Sequence, residues 1–123
     1  MKEKPAKTPA TGLARLRLAT INSINGLTKA WKSEQAVRQE IFLIAGGIPL
    51  ALYLTSNNVE RAVLIISLVM VLVVELLNTA IETAIDRIGL EHHPLSGLAK
   101  DVSSAAVLIT VILLITVWSL ILL

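Results

Sequence analysis

VMVLVVELLNTAIETAIDRIG, residues Val69 to Gly89, begins as unbroken hydrocarbon and, with no turn signal, acquires Glu75, Asn78, Glu82 and Asp86. At about 3.6 residues per turn, offsets of three, seven and eleven from Glu75 place all four side chains within roughly a quarter of the helix circumference. Leu76, Leu77, Ala80, Ile81, Ala84 and Ile85 keep the remaining surface apolar, so the segment reads as one helix with a single narrow acidic stripe. Carboxylates near a bilayer are costly and like charges one turn apart repel, so the stripe is expected to face a cation, a polar cavity or both. The plainer alternative is a helix that leaves the membrane after Glu75 and wets its polar face.

Working outward, the whole chain is too apolar for a soluble core of its size: 54% of its 123 residues are hydrophobic and its mean hydropathy is +0.75. It reads as one all-α integral membrane domain. A formal charge of +2 is too small to imply a nucleic-acid partner, and with no cysteine there is neither a disulfide framework nor a thiolate metal site. MKEKPAKTPATG, residues 1–12, lacks the compact apolar run and small-residue cleavage site of a signal peptide. It is expected to be a mobile tail.

From Leu13 to Lys32, an apolar face of Leu13, Leu16, Thr20, Ile24, Leu27 and Trp31 opposes Arg15, Asn22, Asn25 and Lys29. This predicts an amphipathic surface helix at the headgroup boundary, with a bend or close approach at Gly26. A polar collar, Ser33 to Glu40, with Ser33 as a cap, leads into a first span over about residues 34–56, where Gly46, Gly47 and Pro49 suit close helix packing. After the turn TSNNVER, a second span covers about 59–88, some 45 Å at 1.5 Å per residue, so its acidic end projects beyond the hydrocarbon. Eight Lys and Arg residues precede or include Arg38, one (Arg61) lies in the first turn, and Arg87 and Lys100 flank the next. That asymmetry makes the amino end, and with it the acidic stripe, cytoplasmic. LEHHPLSG, residues 90–97, reads as a loop ended by Pro94 and Gly97. A third span is expected over about 100–123, with Ser103 to Ala106 as a small-residue packing face.

One membrane side thus gathers Glu34, Glu75, Asn78, Glu82, Asp86, Lys100 and Asp101, with Arg15 on the surface helix nearby. Carboxylates suit a hard cation such as magnesium, and a Lys ammonium suits phosphate oxygens. Glu75, the deepest acid, is placed to accept a proton from a hydroxyl at the interface. No phosphate-binding glycine loop is present, and His92 and His93 lack the paired ligands of a zinc site, so they read as solvated or as contacts to a polar ligand. Three readings stay open on these residues alone: phosphoryl chemistry, a small ion or proton transporter subunit, and a structural membrane subunit with solvated acidic helix ends. Against transport, the polar stripe gathers at one end of its helix instead of crossing the midplane.

Glu75-Leu-Leu-Asn-Thr-Ala-Ile-Glu82, Asp86-Arg-Ile-Gly, Glu91-His-His-Pro-Leu-Ser-Gly and Ala99-Lys-Asp101, in that order, resemble the small integral-membrane diacylglycerol kinases of Gram-negative prokaryotes, over roughly residues 13 to 118. The resemblance implies homotrimers of three-span subunits plus a surface helix in the bacterial inner membrane, with active sites shared between subunits. It implies transfer of the ATP gamma-phosphoryl group to diacylglycerol, giving phosphatidic acid. By motif position it makes Glu75 the general base, with Asn78 and Lys100 in the catalytic group and Asp86 in support. Glu34 and Glu82 become the magnesium ligands. Arg15, Asn22, Glu34, Glu82, Glu91, His92, His93, Lys100 and Asp101 address the nucleotide, and Glu75, Ser104 and Trp31 the lipid. Members often carry an aromatic residue where this chain has Asn22. Relatives that phosphorylate undecaprenol share much of the acidic motif, but their collar tends to read N-x-R-x-H where this chain has Gln-Ala-Val-Arg-Gln-Glu, which favours the diacylglycerol branch.

Overall fold

The computed structural model describes residues 11–123, which form helices α1 (Gly12–Ser33), α2 (Gln35–Leu54), α3 (Asn58–Ile88) and α4 (Pro94–Leu122), with no strand among the described residues. The expected all-α architecture of one amphipathic helix and three spans is what is observed, since α2, α3 and α4 are each long and apolar enough to cross a membrane. Most of the tail expected over residues 1–12 lies outside the described residues.

The chain divides into two compact units, one ending at Ser33 and one running from Glu34 to Leu123. In the first, α1 runs unbroken through Gly26, and no described residue closely approaches that glycine. Leu13, Leu16, Ile24 and Leu27 are exposed along it. Thr20, Ser23, Thr28 and Ser33 each donate their hydroxyl to the carbonyl four residues back, at 2.7–2.9 Å. This back-bonding satisfies donors that would otherwise be costly beside an apolar phase. It also corrects the reading of Ser33 as a cap: its hydroxyl is spent on Lys29, and the N-cap of α2 is Glu34, whose side chain makes no capping bond.

In the second unit α3 packs against both α2 and α4. The buried apolar positions are Val37 and Ala51 on α2 and Leu64, Leu68 and Val71 on α3. Gly47 explains the close approach of α2 and α3, because a Cβ there would lie 2.6 Å from Leu68 Cδ1. The Trp118 indole donates to Ser67 Oγ at 3.2 Å, and Ser67 donates in turn to the Leu64 carbonyl at 2.7 Å, which ties α4 to α3 with every polar hydrogen used. The only residue α4 buries is Ser103; Ser104, Ala105 and Ala106 are exposed, so the expected four-residue packing face reduces to one position. The reason is rotational: successive residues of a helix point about 100° apart, and only Ser103 aims at α3.

Both turns are short because side chains close them. Between α2 and α3, Asn57 Oδ1 accepts from the Val59 and Glu60 amides at 2.9 and 3.2 Å. Arg61 donates to the Thr55 and Leu52 carbonyls at 2.7 and 2.8 Å, satisfying oxygens that the end of α2 leaves without helical partners. Between α3 and α4 the loop is shorter than expected, since α4 starts at Pro94 and not at about residue 100. Proline in a first helical turn sacrifices no hydrogen bond. His93 Nδ1 caps the helix by accepting from the Leu95 amide at 3.1 Å, and the Gly97 amide donates to the His93 carbonyl at 3.0 Å as an ordinary helical residue. Lys100 is therefore well inside a rigid helix.

Candidate functional site

The acidic stripe lies where α3 passes α4. Glu75 and Asn78, at 7% and 9% exposure, and Ser103 of α4, at 6%, are buried polar residues, joined in the bundle only by Ser67 among those described. Ser103 Oγ stands 2.6 Å from Asn78 Oδ1, and Asn78 Nδ2 stands 3.5 Å from Glu82 Oε1. Glu75 lies one helical turn from Asn78 on the same face of α3. Further along the antiparallel pair, Lys100 Nζ meets Asp86 Oδ1 at 2.8 Å, both side chains about half exposed. The pairing follows from the stripe: α3 presents its acids on one face, and α4 answers with Lys100 and Ser103, three residues apart and hence on one face of their own.

Charge is concentrated around Glu75. The carboxylates of Glu82 and Glu34 both act on it electrostatically, and so does that of Glu40 from α2. The collar ahead of the first span and the stripe of α3 are therefore electrostatically coupled. A group of like charges on membrane helices is relieved by a cation or by a ligand that donates hydrogen bonds. The donor set is all carboxylate oxygen, with no thiolate or imidazole, which suits magnesium more than zinc. Among the described residues no three acidic or His side chains of one chain converge tightly enough to hold a metal by themselves. Glu34 and Glu82 would hold magnesium only with oxygens from water, a phosphate or a second chain.

The loop side of the site is polar and open. Asp86, Glu91, His92, His93, Ser96, Gly97 and Lys100 help line a hollow of about 150 Å³. His93 has already committed Nδ1 to the α4 cap, which leaves Nε2 as the ring nitrogen the cap does not use. Gly89 is held close to the Glu91 carboxylate, where a Cβ would approach to 2.6 Å. Asp101 and Ser104 are exposed on α4, and Arg15, Asn22 and Trp31 are exposed on α1 in the other unit. Two residues of the site escaped the sequence reading. Glu40 places a buried Oε2 that has no hydrogen-bond partner among the described residues; its signal was an acid immediately before the apolar run of a span. Ser103 is the other, read only as a packing residue.

Comparison with known proteins identifies the family. The prokaryotic diacylglycerol kinase family model matches residues 21–122. A diacylglycerol kinase of Escherichia coli K12 is 44% identical over 112 residues, covering 91% of this chain and 92% of the relative. One from Haemophilus influenzae is 46% identical over 108 residues, covering 88% and 92%, and one from Pseudomonas aeruginosa is 43% identical over 113 residues, covering 92% of each.

Proposed function

The chain belongs to the prokaryotic diacylglycerol kinases, membrane lipid kinases of bacteria, and on that premise we propose that it transfers the gamma-phosphoryl group of ATP to the free hydroxyl of diacylglycerol, giving phosphatidic acid and ADP. The observation that carries the assignment of roles is the buried Glu75, set near Asn78 and Ser103 at one end of a largely apolar bundle. A carboxylate kept from water next to lipid is matched to one task, accepting the proton of a lipid hydroxyl as its oxygen attacks phosphorus. The O–P bond forms as the bond from the gamma phosphorus to the bridging oxygen breaks, and ADP leaves with that electron pair.

Phosphoryl transfer through a loose transition state asks mainly for positioning and charge neutralisation. Asn78 holds Glu75 and Glu82 in register. Lys100, fixed toward α3 by Asp86, offers its ammonium to the transferring phosphoryl oxygens. Glu34 and Glu82 would hold magnesium, which when bound neutralises phosphate charge. Glu82 fits that part because only one of its oxygens is engaged, and that weakly, at 3.5 Å. Asp101 supports the phosphate end, Glu91, His92 and His93 form the nucleoside end, and Arg15 and Asn22 add contacts from the surface helix. Trp31 and Ser104 address lipid. We assign the site to the cytoplasmic face of the inner membrane, from the excess of Lys and Arg at the amino end. We assign it to a homotrimer with sites shared between subunits, since α4 buries only Ser103 within one chain.

The test is incubation of the purified, reconstituted protein with radiolabelled ATP, magnesium and either diacylglycerol or undecaprenol. Label in phosphatidic acid is expected. Label only in undecaprenyl phosphate would transfer the chain to the related substrate branch, and no label in either lipid would refute the lipid kinase mechanism.

A further inference from the structure

We propose that Ser103 is a positioning residue for phosphoryl transfer, its hydroxyl fixing the Asn78 side-chain amide so that Nδ2 faces Glu75 and Glu82. This rests on the reading of Glu75 as the base and goes beyond it by naming a residue on another helix that orients the acidic stripe.

The hydrogen-bond inventory leaves one consistent arrangement. An ionised carboxylate only accepts, so the Asn78 atom nearest Glu82 must be the donor Nδ2. The opposite end of the amide, Oδ1, then points to Ser103 and needs a donor there. Ser103 has a single hydroxyl proton and two acceptors within reach, Asn78 Oδ1 at 2.6 Å and the Lys100 carbonyl at 3.0 Å. Donating to the Lys100 carbonyl instead would leave two oxygen acceptors facing each other at 2.6 Å. Reversing the amide to repair that contact would turn Oδ1 onto the carboxylates. Only one polarity satisfies every group: Ser103 hydroxyl to Asn78 Oδ1, and Asn78 Nδ2 to the acids.

Burial makes the arrangement consequential. At 6% exposure Ser103 has no water to replace a lost partner, and Asn78 at 9% has little. Without the hydroxyl, the Asn78 amide loses the contact that selects its rotamer, and its contacts with Glu75 and Glu82 lose their fixed direction. Because Ser103 lies behind Asn78 and does not border the polar hollow of the loop, its removal is expected to act on turnover and not on binding of ATP.

The experiment compares steady-state kinetics of the full-length wild-type protein, Ser103→Ala, Ser103→Cys and Ser103→Thr on ATP and diacylglycerol, alongside thermal melting. It adds Asn78→Ala alone and combined with Ser103→Ala. Loss of one buried hydrogen bond should lower kcat about fivefold to tenfold in the Ala variant, with both KM values within about twofold and the melting temperature within a few degrees. Thr, which keeps the hydroxyl, should recover activity. In the Asn78→Ala background the Ser103→Ala change should cost less than about twofold, because the two act as one unit. Should the Ala variant misassemble, Ser103→Cys, close in shape but a weak donor, must show the same kcat loss. A Ser103→Ala or Ser103→Cys enzyme with wild-type kcat overturns the proposal, and so does a loss confined to KM, a Thr variant as impaired as Ala, or an undiminished effect without Asn78. An inactive wild type would instead sink the kinase reading itself.

Discussion

Replacing Glu75 by Gln separates chemistry from architecture at the centre of this site. Glu75 is 7% exposed, so a substitution that changed its volume would disturb packing as well as charge. Gln keeps the shape and retains a side-chain oxygen to accept from Asn78; what it loses is the capacity to take a proton. Positioned general bases contribute about 10²–10⁴ in rate, so kcat should fall by that factor, equivalent to roughly 3–5 kcal/mol at 1.36 kcal/mol per tenfold. Stability should move in the other direction or stay unchanged, because the neutral side chain no longer repels the carboxylates of Glu82, Glu34 and Glu40. Nucleotide affinity should hold, since Glu75 is assigned to the lipid hydroxyl and not to the nucleotide. Radiolabel transfer to diacylglycerol measures kcat, ATP titration measures binding, and thermal melting in the same detergent measures stability. A Glu75→Gln protein that turns over within tenfold of wild type would remove Glu75 from the mechanism. One that loses activity only in proportion to a lower melting temperature would make it a structural residue.

Glu82→Gln should raise the magnesium concentration for half-maximal activity at least about tenfold, given that even outer partners of a metal ligand cost that much; an unchanged magnesium titration would count against the ligand assignment. Lys100→Met should lower kcat by about 10²–10³, the effect of removing one electrostatic stabiliser of the transition state. Its melting temperature should barely change, because its bridge to Asp86 is half exposed and such pairs contribute little to stability; parallel loss of both would assign Lys100 to the fold. Arg61→Ala should do the opposite. By freeing the Leu52 and Thr55 carbonyls at the far end of the bundle it should cost about 1–3 kcal/mol of stability while kcat stays within about twofold, as melting and turnover of one preparation would establish.

The residues that were legible in the sequence are those whose identity alone restricts their environment. An acid repeated at helical spacing inside hydrocarbon admits few surroundings, so Glu75, Asn78, Glu82 and Asp86 could be assigned to one face, and that face marked as a candidate site, before any coordinates. The α3–α4 turn was harder because Pro94 and Gly97 each carry two meanings. Proline both ends a helix and begins one, and the structure uses it as a first-turn residue under a His93 cap. Nothing in the order Glu91-His-His-Pro distinguishes a ligand-facing His93 from a capping one until the Leu95 amide is seen against Nδ1.

Ser103 fails to stand out for a different physical reason. α4 is apolar almost all round, so its rotation leaves no hydrophobic periodicity to read. That rotation is set by contacts with α3 at both ends of the face, Lys100 with Asp86 and Trp118 with Ser67. Stepping from Lys100 by three or four residues gives Ser103, Val107, Thr110, Leu114 and Trp118, and these are the buried or half-buried positions of the helix along that line. A Lys, a Ser, a Thr and a Trp share that line, Lys100 and Ser103 meeting Asp86 and Asn78 and Trp118 meeting Ser67, while Ser104, Thr116 and Ser119 are exposed, so polarity alone does not mark the packed side of α4 in the sequence. In a membrane bundle, where hydrocarbon covers every face of a helix, it is the hydrogen bonds made to a neighbouring helix that identify the packed side, and on α4 these run from Lys100 through Ser103 to Trp118.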